Sequence, residues 1–61
     1  MRKYSLKSIV DGIPYFIAKQ RFSDLANAID RAEKLHNETG NTIEIHEFVI
    51  GEGDKLVRTV N

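Results

Sequence analysis

The stretch FSDLANAIDRAEKLHNETG, from Phe22 to Gly40, decides the fold because it predicts one amphipathic helix with a start and a stop. We expect Ser23 to be the N-cap, since its hydroxyl can accept a hydrogen bond from a free amide of the first turn. Gly40 is expected to end the helix, because glycine readily adopts the left-handed conformation that closes many helices. At about 100° per residue, one face of this helix is apolar. That face carries Leu25, Ala28, Ile29, Ala32, Leu35 and His36.

The segment before the helix predicts a β-hairpin over residues 3–20. Apolar and polar residues alternate on both sides of Asp11-Gly12, a pair that favours a two-residue turn with positive φ at both positions. Pro14 has no amide hydrogen to donate, so the second strand is expected to lie at an edge of the sheet. The turn pairs Val10 with Ile13, Ser8 with Tyr15, Leu6 with Ile17, and Tyr4 with Lys19. The face toward the helix then carries Tyr4, Leu6, Val10, Ile13, Tyr15 and Ile17.

A second hairpin is predicted over residues 42–60, after the helix at 23–39. Two β-rich runs flank the turn sequence Gly51–Asp54, in which two glycines allow positive φ. If the turn takes four residues, the pairs are Val49 with Leu56, Glu47 with Arg58, and Ile45 with Val60. A bulge near Glu47 and Phe48 would change this register. The predicted fold is an α+β, two-layer ββαββ domain with a four-stranded, mainly antiparallel sheet and one helix packed on one face.

Length and composition restrict the class of protein. Sixty-one residues make a single domain whose core is small, so stability must come from good packing or from self-association. The chain has no cysteine, which excludes disulfides and thiolate metal sites. The sequence has no apolar run of membrane-spanning length and no signal-peptide core at its N-terminus. We therefore expect a cytoplasmic protein.

Charge is distributed unevenly along the chain, although the net charge is zero. Residues 1–22 contain five basic residues and one acidic residue, whereas residues 23–61 contain four basic and eight acidic residues. This asymmetry can steer a protein or nucleic-acid partner. The alternative is that folding interleaves the two sets of charges on the surface.

The sequence predicts no catalytic residue, no cofactor and no metal site. A nucleophile paired with a base is not apparent, and no Gly-rich phosphate loop is present. Glu44 and His46 would share a strand face, but two ligands without a third make a weak metal site. We interpret His36 as a partly buried histidine with one ring nitrogen bonded to a carbonyl, rather than as a catalytic group. The expected protein is therefore not an enzyme.

The sheet face that the helix leaves uncovered is the strongest functional candidate. Apolar side chains are expected there, which is unusual for a monomer. A protein interface is the functional interpretation, most simply a homodimer in which two sheets pack back to back. The structural alternative is that twist, a bulge or a long side chain buries part of the patch within one chain. The predicted interface residues are Ile9, Phe16, Ala18, Phe48, Ile50 and Val57.

Nucleic acid is the alternative partner. Aromatic side chains on a sheet, flanked by basic residues, can stack nucleotides while the cations contact phosphates. Neutral net charge and the acidic Glu44 on the same predicted face argue against this partner. The candidate contacts are Arg2, Lys3, Lys7, Lys19 and Arg21, beside Phe16 and Phe48.

The segment FSDLANAIDRAEKLHNETGNTIEIHE resembles a pattern found in small bacterial and phage proteins of this size and plan. In that pattern an aromatic residue precedes the helix, and a glycine and a strand of alternating aliphatic residues follow it. The matching positions are Phe22, Ala28, Ile29, Ala32, Leu35, Gly40, Ile43 and Ile45. Because these are core and cap positions, the resemblance concerns the fold and transfers no functional residue. Such proteins include phage-encoded inhibitors of host enzymes, so the resemblance implies a small binding protein. A phage or mobile-element origin, with a host protein as the target, is the hypothesis that follows from size and resemblance.

Overall fold

The structure, a computed structural model, describes residues 3–61, with all side chains in that range except those of Ala18 and Lys19. It contains β1 (Tyr4–Val10), β2 (Ile13–Phe22), α1 (Leu25–Thr39), β3 (Thr42–Val49) and β4 (Gly53–Val60). The strands form one antiparallel sheet in the order β2-β1-β3-β4. The predicted α+β class is confirmed, and Pro14 does lie in an edge strand.

The core is formed where α1 crosses the two central strands. Five residues of the described chain are buried, and all of them are apolar: Leu6, Ala28, Ala32, Ile43 and Ile45. The two alanines belong to the helix, and their short side chains let its backbone approach β1 and β3 closely. Around this centre lies a ring of partly buried side chains: Tyr4, Ile17, Phe22, Leu25, Ile29, Leu35 and Val60. The predicted apolar face of the helix is therefore the face that packs on the sheet.

The first hairpin has the predicted turn but a different register at its open end. Asp11 and Gly12 have φ angles of 52° and 80°, as a turn with two left-handed residues requires. Near the turn the predicted pairs form, but between Ser5 and Lys7 the register shifts by a bulge in β2. Tyr4 consequently pairs with Phe22 and not with Lys19. The longer β2 brings Phe22 against the core immediately before the chain enters the helix.

The tip of this hairpin extends beyond the helix, so part of the predicted core is exposed. Val10, Ile13 and Tyr15 have 39%, 54% and 54% of their surface exposed, and their assignment to the core was wrong. The reason is the length of α1, whose C-terminal end lies near Ser8. There the amide nitrogen Nδ2 of Asn41 donates a hydrogen bond of 3.2 Å to the Ser8 hydroxyl.

The second hairpin also differs in register from the sequence prediction. Its turn is shorter, since the Glu52 N–H donates to the Val49 carbonyl at 3.0 Å and β4 already begins at Gly53. A bulge then shifts the pairing between Ile45 and His46. The observed pairs are Ile43 with Val60, Ile45 with Arg58, His46 with Leu56, Glu47 with Lys55, and Val49 with Gly53. The predicted pairs of this hairpin were therefore wrong, and Leu56 lies on the side of the sheet away from the helix.

Both ends of α1 are capped, but the N-cap is not the residue expected. Asp24 is the N-cap, because its carboxylate accepts a 3.1 Å hydrogen bond from the Ala26 N–H. Ser23 lies outside the helix because β2 continues to Phe22 and two residues are needed to turn the chain. The predicted stop is confirmed: Gly40 has a φ of 76° and its N–H donates to the His36 carbonyl at 2.7 Å.

Substituting the two candidate caps distinguishes these assignments. Asp24→Ala is expected to lower the free energy of unfolding by about 1 kcal/mol, because it leaves an amide of the first turn without its acceptor. Ser23→Ala is the matched control and is expected to change stability by less than about 0.5 kcal/mol. Urea denaturation followed by circular dichroism measures both. A larger loss for Ser23→Ala would show that the serine, not the aspartate, caps the helix.

Candidate functional site

The face of the sheet opposite α1, here called the uncovered face, has no helix over it among residues 3–61. Cross-strand partners share a face, so the register arranges its side chains in rows that run from β2 to β4. The Ser5 row consists of Arg21, Ser5, His46 and Leu56. The Lys7 row consists of Phe16, Lys7, Glu44 and Thr59. On one side of these rows lie Pro14, Ile9 and Thr42, and on the other lie Phe48 and Asp54.

Three of the predicted interface residues lie on the uncovered face. Ile9 lies there, and Phe16 and Phe48 expose 48% and 52% of their surface. Ile50 is in the β3–β4 turn rather than on the face, and Val57 is the extra residue of the β4 bulge, next to the face but not paired across it. The Ala18 side chain is outside the described part of the structure. Of the six residues predicted for the interface, the structure therefore places Ile9, Phe16 and Phe48 on one face of the sheet.

Sequence reasoning missed Leu56, which the bulge turns onto the uncovered face. Its surface is 54% exposed, and it pairs with His46 in the Ser5 row. The alternation of KLVRTV places Leu56 and Val60 on the same side only if β4 pairs without interruption. Because Val57 is an extra, unpaired residue, the residues of β4 before it lie on the opposite face of the sheet from the one that uninterrupted pairing would give them. The residues at the bulge, Leu56, Val57 and Arg58, include no glycine or proline that would mark it in the sequence.

A pocket of about 210 Å³ opens at the end of the uncovered face where β1 begins. Both exposed phenyl rings, of Phe16 and Phe48, line it, together with Lys3, Ser5, Arg21 and Asp54. The Arg21 guanidinium lies over the Phe16 ring, 5.1 Å from the ring centroid, which is within the range of a cation–π contact. The pocket therefore combines apolar surface with two cations and one carboxylate.

The candidate nucleic-acid contacts are only partly assembled. Lys3 and Arg21 reach the pocket, and Lys7 lies in the row beside it. The Lys3 ammonium is also 3.7 Å from a carboxylate oxygen of Glu47, so its charge is partly compensated. Arg2 and the side chain of Lys19 are outside the described residues.

His46 and Glu44 lie side by side on the uncovered face, as the sequence predicted. The His46 Nε2 is 2.9 Å from the Glu44 Oε1. A carboxylate oxygen accepts, so Nε2 carries the hydrogen of this bond. The other ring nitrogen, Nδ1, is buried and has no hydrogen-bond partner within the described residues. The contact fixes the position of the Glu44 carboxylate and leaves its second oxygen free for another donor.

The structure assigns no metal-binding arrangement to this pair. Within residues 3–61, no group of three or more His, Cys, Asp and Glu side chains comes together as metal ligands would. The other histidine, His36, is partly buried, and its Nδ1 is 2.7 Å from the Asn41 carbonyl oxygen. Since a carbonyl only accepts, Nδ1 donates, and the predicted bond between a ring nitrogen of His36 and a carbonyl is confirmed.

Strand order gives the uncovered face an asymmetric charge distribution, with basic and acidic residues on different strands. The first half of the chain forms β2 and β1, and the second half forms β3 and β4, so the two halves occupy opposite sides of the sheet. Lys7 and Arg21 lie on one side, and Glu44 and Asp54 lie on the other. On the uncovered face the two signs of charge therefore occupy different strands and meet at the boundary between β1 and β3, where Lys7 and Glu44 are cross-strand partners. Within the described chain, neither Lys7 nor Arg21 takes part in an ion pair.

Models of protein families, curated proteins and solved structures were compared with the chain, and none of them matches it. In the part of the chain that the structure describes, no helix has the length and apolar character needed to span a membrane. The resemblance to small phage and bacterial proteins stays a prediction.

The side of the sheet on which Leu56 lies can be tested by substitution. Leu56→Ser is expected to lower the free energy of monomer unfolding by about 1 kcal/mol or less, because about half of the side chain is already exposed. Ile45→Ser, on the other side of the sheet, is expected to cost at least about 2 kcal/mol because it removes a buried side chain. Denaturation at low protein concentration measures both. A loss for Leu56→Ser that equals the loss for Ile45→Ser would place Leu56 in the core.

Proposed function

We propose that this ββαββ domain is a non-enzymatic protein-binding module of the cytoplasm that forms a homodimer through the uncovered face. The observation that carries the proposal is the exposure of Phe16, Phe48 and Leu56 on one side of the sheet. Full burial of such a side chain stabilises by about 1.5–3 kcal/mol. A partner on this face would therefore gain several kilocalories per mole from three half-exposed side chains.

The small core supports self-association. The core of the described residues consists of five buried side chains, and a chain of this length buries only about 60% of its unfolded surface. A second copy that binds only the folded chain stabilises the fold by mass action. The uncovered face supplies the extra apolar contact without any change in the helix or in the core.

A host protein is the proposed target of the dimer, and the resemblance to phage-encoded proteins supports this part of the proposal. Back-to-back packing of two sheets leaves both helices on the outside. The polar face of α1, with Asp30, Arg31 and Lys34, would then be presented twice by one dimer.

Binding of single-stranded nucleic acid is the second candidate function. The pocket that joins Phe16 and Phe48 to Lys3 and Arg21 favours it, since stacking and phosphate contacts would meet there. Asp54 in the same pocket and Glu44 in the next row oppose it, because both would repel phosphates. The two functions are separable, as nucleic-acid binding weakens steeply with salt.

Charged substitutions of exposed apolar residues test the dimer. Phe16→Asp and Phe48→Asp are expected to convert the dimer to a folded monomer, because each replaces an apolar contact by a charged group that must lose its water in the interface. Ile13→Asp is the matched control: Ile13 is as exposed as these residues, but it lies on the helix side at the hairpin tip. Light scattering across protein concentration gives the masses, and circular dichroism verifies folding. A native chain that is monomeric at every concentration would refute the homodimer.

Titration with a labelled single-stranded oligonucleotide tests the second function. A nucleic-acid module should bind with an affinity that falls steeply with added salt, and both Phe16→Ala and Arg21→Ala should weaken it. The protein-binding proposal predicts no salt-sensitive binding of this kind at micromolar concentration. Tight binding that depends on both residues would favour the second function over the first.

A further inference from the structure

We infer that the twofold axis of the homodimer runs parallel to the strands, so that β2 of one copy covers β4 of the other. The inference rests on the proposed function, because it specifies how the second copy lies on the uncovered face. It concerns the orientation of the partner, which self-association alone leaves open.

Two back-to-back sheets can be related by a twofold axis in two simple ways. An axis parallel to the strands exchanges the two edges of the sheet, which places β2 over β4 and β1 over β3 of the partner. An axis perpendicular to the strands, in the plane between the sheets, keeps each edge on its own side. It therefore places β2 over β2 and β4 over β4. Sheets that pack face to face keep their strands within about 30° of each other, so both arrangements are compatible with ordinary sheet packing.

The charge polarity of the uncovered face selects the first arrangement. With the axis parallel to the strands, the side with Lys7 and Arg21 lies over the partner's side with Glu44 and Asp54. With the axis across the strands, basic residues would face basic residues and acidic residues would face acidic residues. Like charges brought together in an interface cost free energy and suppress that mode of association.

The rows of the sheet identify the most specific contact. Rotation about an axis parallel to the strands keeps every residue at its own level along the strands. Lys7 and Glu44 belong to the same row, on the two central strands. Lys7 of each copy therefore lies over Glu44 of the other copy, and symmetry makes the contact twice. Arg21 and Asp54 are one level apart, so their contact would be diagonal.

The Glu44 carboxylate is held in place and remains accessible for this contact. Its Oε1 accepts the hydrogen bond from His46, which holds the carboxylate in place on the face. The Glu44 side chain is still 26% exposed, so a lysine of a second copy can reach it. His46 would act as a positioning residue for the ion pair between the copies.

The size of the face makes these charges important. Four strands about 4.8 Å apart and about seven residues of about 3.4 Å each give a face of roughly 450 Å². Two such faces bury about 900 Å², which is below the range of stable specific interfaces and within that of weak, transient ones. The dimer should therefore be weak and depend on protein concentration, and its charges decide which orientation forms. Added salt should weaken it, since partly exposed ion pairs are screened.

Charge reversal tests the contact between Lys7 and Glu44. Lys7→Glu alone and Glu44→Lys alone should each raise the dimer dissociation constant by about tenfold or more, because each homodimer would contain two like-charged contacts. An equimolar mixture of the two variants should dimerise again, because every contact in the mixed dimer is complementary. Repulsion within each chain persists in the mixture, so recovery can only arise between chains. Unchanged dimerisation of both single variants would overturn the inference.

Cysteine cross-linking tests the orientation independently, and the chain offers a background without native cysteine. Pro14 and Thr59 lie on the uncovered face, on opposite edge strands and in adjacent rows. A mixture of Pro14→Cys and Thr59→Cys chains treated with a short bis-maleimide should give the mixed cross-linked dimer, identified by mass spectrometry. Thr59→Cys alone should give little cross-linked product. Self-linking of Thr59→Cys in place of the mixed product would show the axis across the strands and overturn the inference.

These outcomes separate the inference from the proposed function. A native chain that stays monomeric, or a dimer that survives Phe16→Asp, overturns both. A dimer that is lost with Phe16→Asp but is indifferent to charge reversal overturns only the orientation.

Discussion

The contact of Ala28 and Ala32 with the two central strands determines most of what this domain can do. Small side chains let α1 lie close to Leu6, Ile43 and Ile45, and these five residues are the whole buried core of the described chain. A helix of 15 residues is about 22 Å long. It can cover the centre of one face and no more. The hairpin tip and the entire opposite face are therefore left without an intramolecular cover.

That limit connects the fold to the proposed function. A larger domain would place a second layer on the free side of the sheet, whereas residues 3–61 contain a single helix, which packs on the other side. The uncovered face consequently retains Phe16, Phe48 and Leu56 at about half exposure. In the proposed homodimer, a second copy would supply this missing layer without a longer chain. The strand order also bears on how a second copy would be oriented, because it places the basic first half and the acidic second half of the chain on different strands of the same face.

Local patterns in the sequence predicted the elements well, because the signals are chemical and short-range. The Asp11-Gly12 turn, the Gly40 stop and the apolar face of α1 each depend on residues close together in the chain. Pro14 correctly indicated an edge strand, since a missing donor is a property of one residue. The bonding of His36 also followed from its position at the end of the helix.

Register was less predictable, because a bulge depends on the packing of distant segments. The bulge in β2 serves to bring Phe22 onto the core, and nothing near Ser5 or Lys7 in the sequence announces it. The bulge in β4 moves Leu56 from the expected core to the uncovered face. The sequence accordingly predicted that Ile9, Phe16 and Phe48 share a face, as the structure shows, but it did not place Leu56 there.

The most direct test of the central claim is a dilution series followed by NMR of backbone amides. If the uncovered face is the dimer interface, the amide signals of Phe16, His46 and Leu56 should shift with concentration. Those of Val10 and Ile13, equally apolar but on the helix side, should stay in place. Shifts confined to the hairpin tip, or no shifts up to millimolar concentration, would contradict the claim.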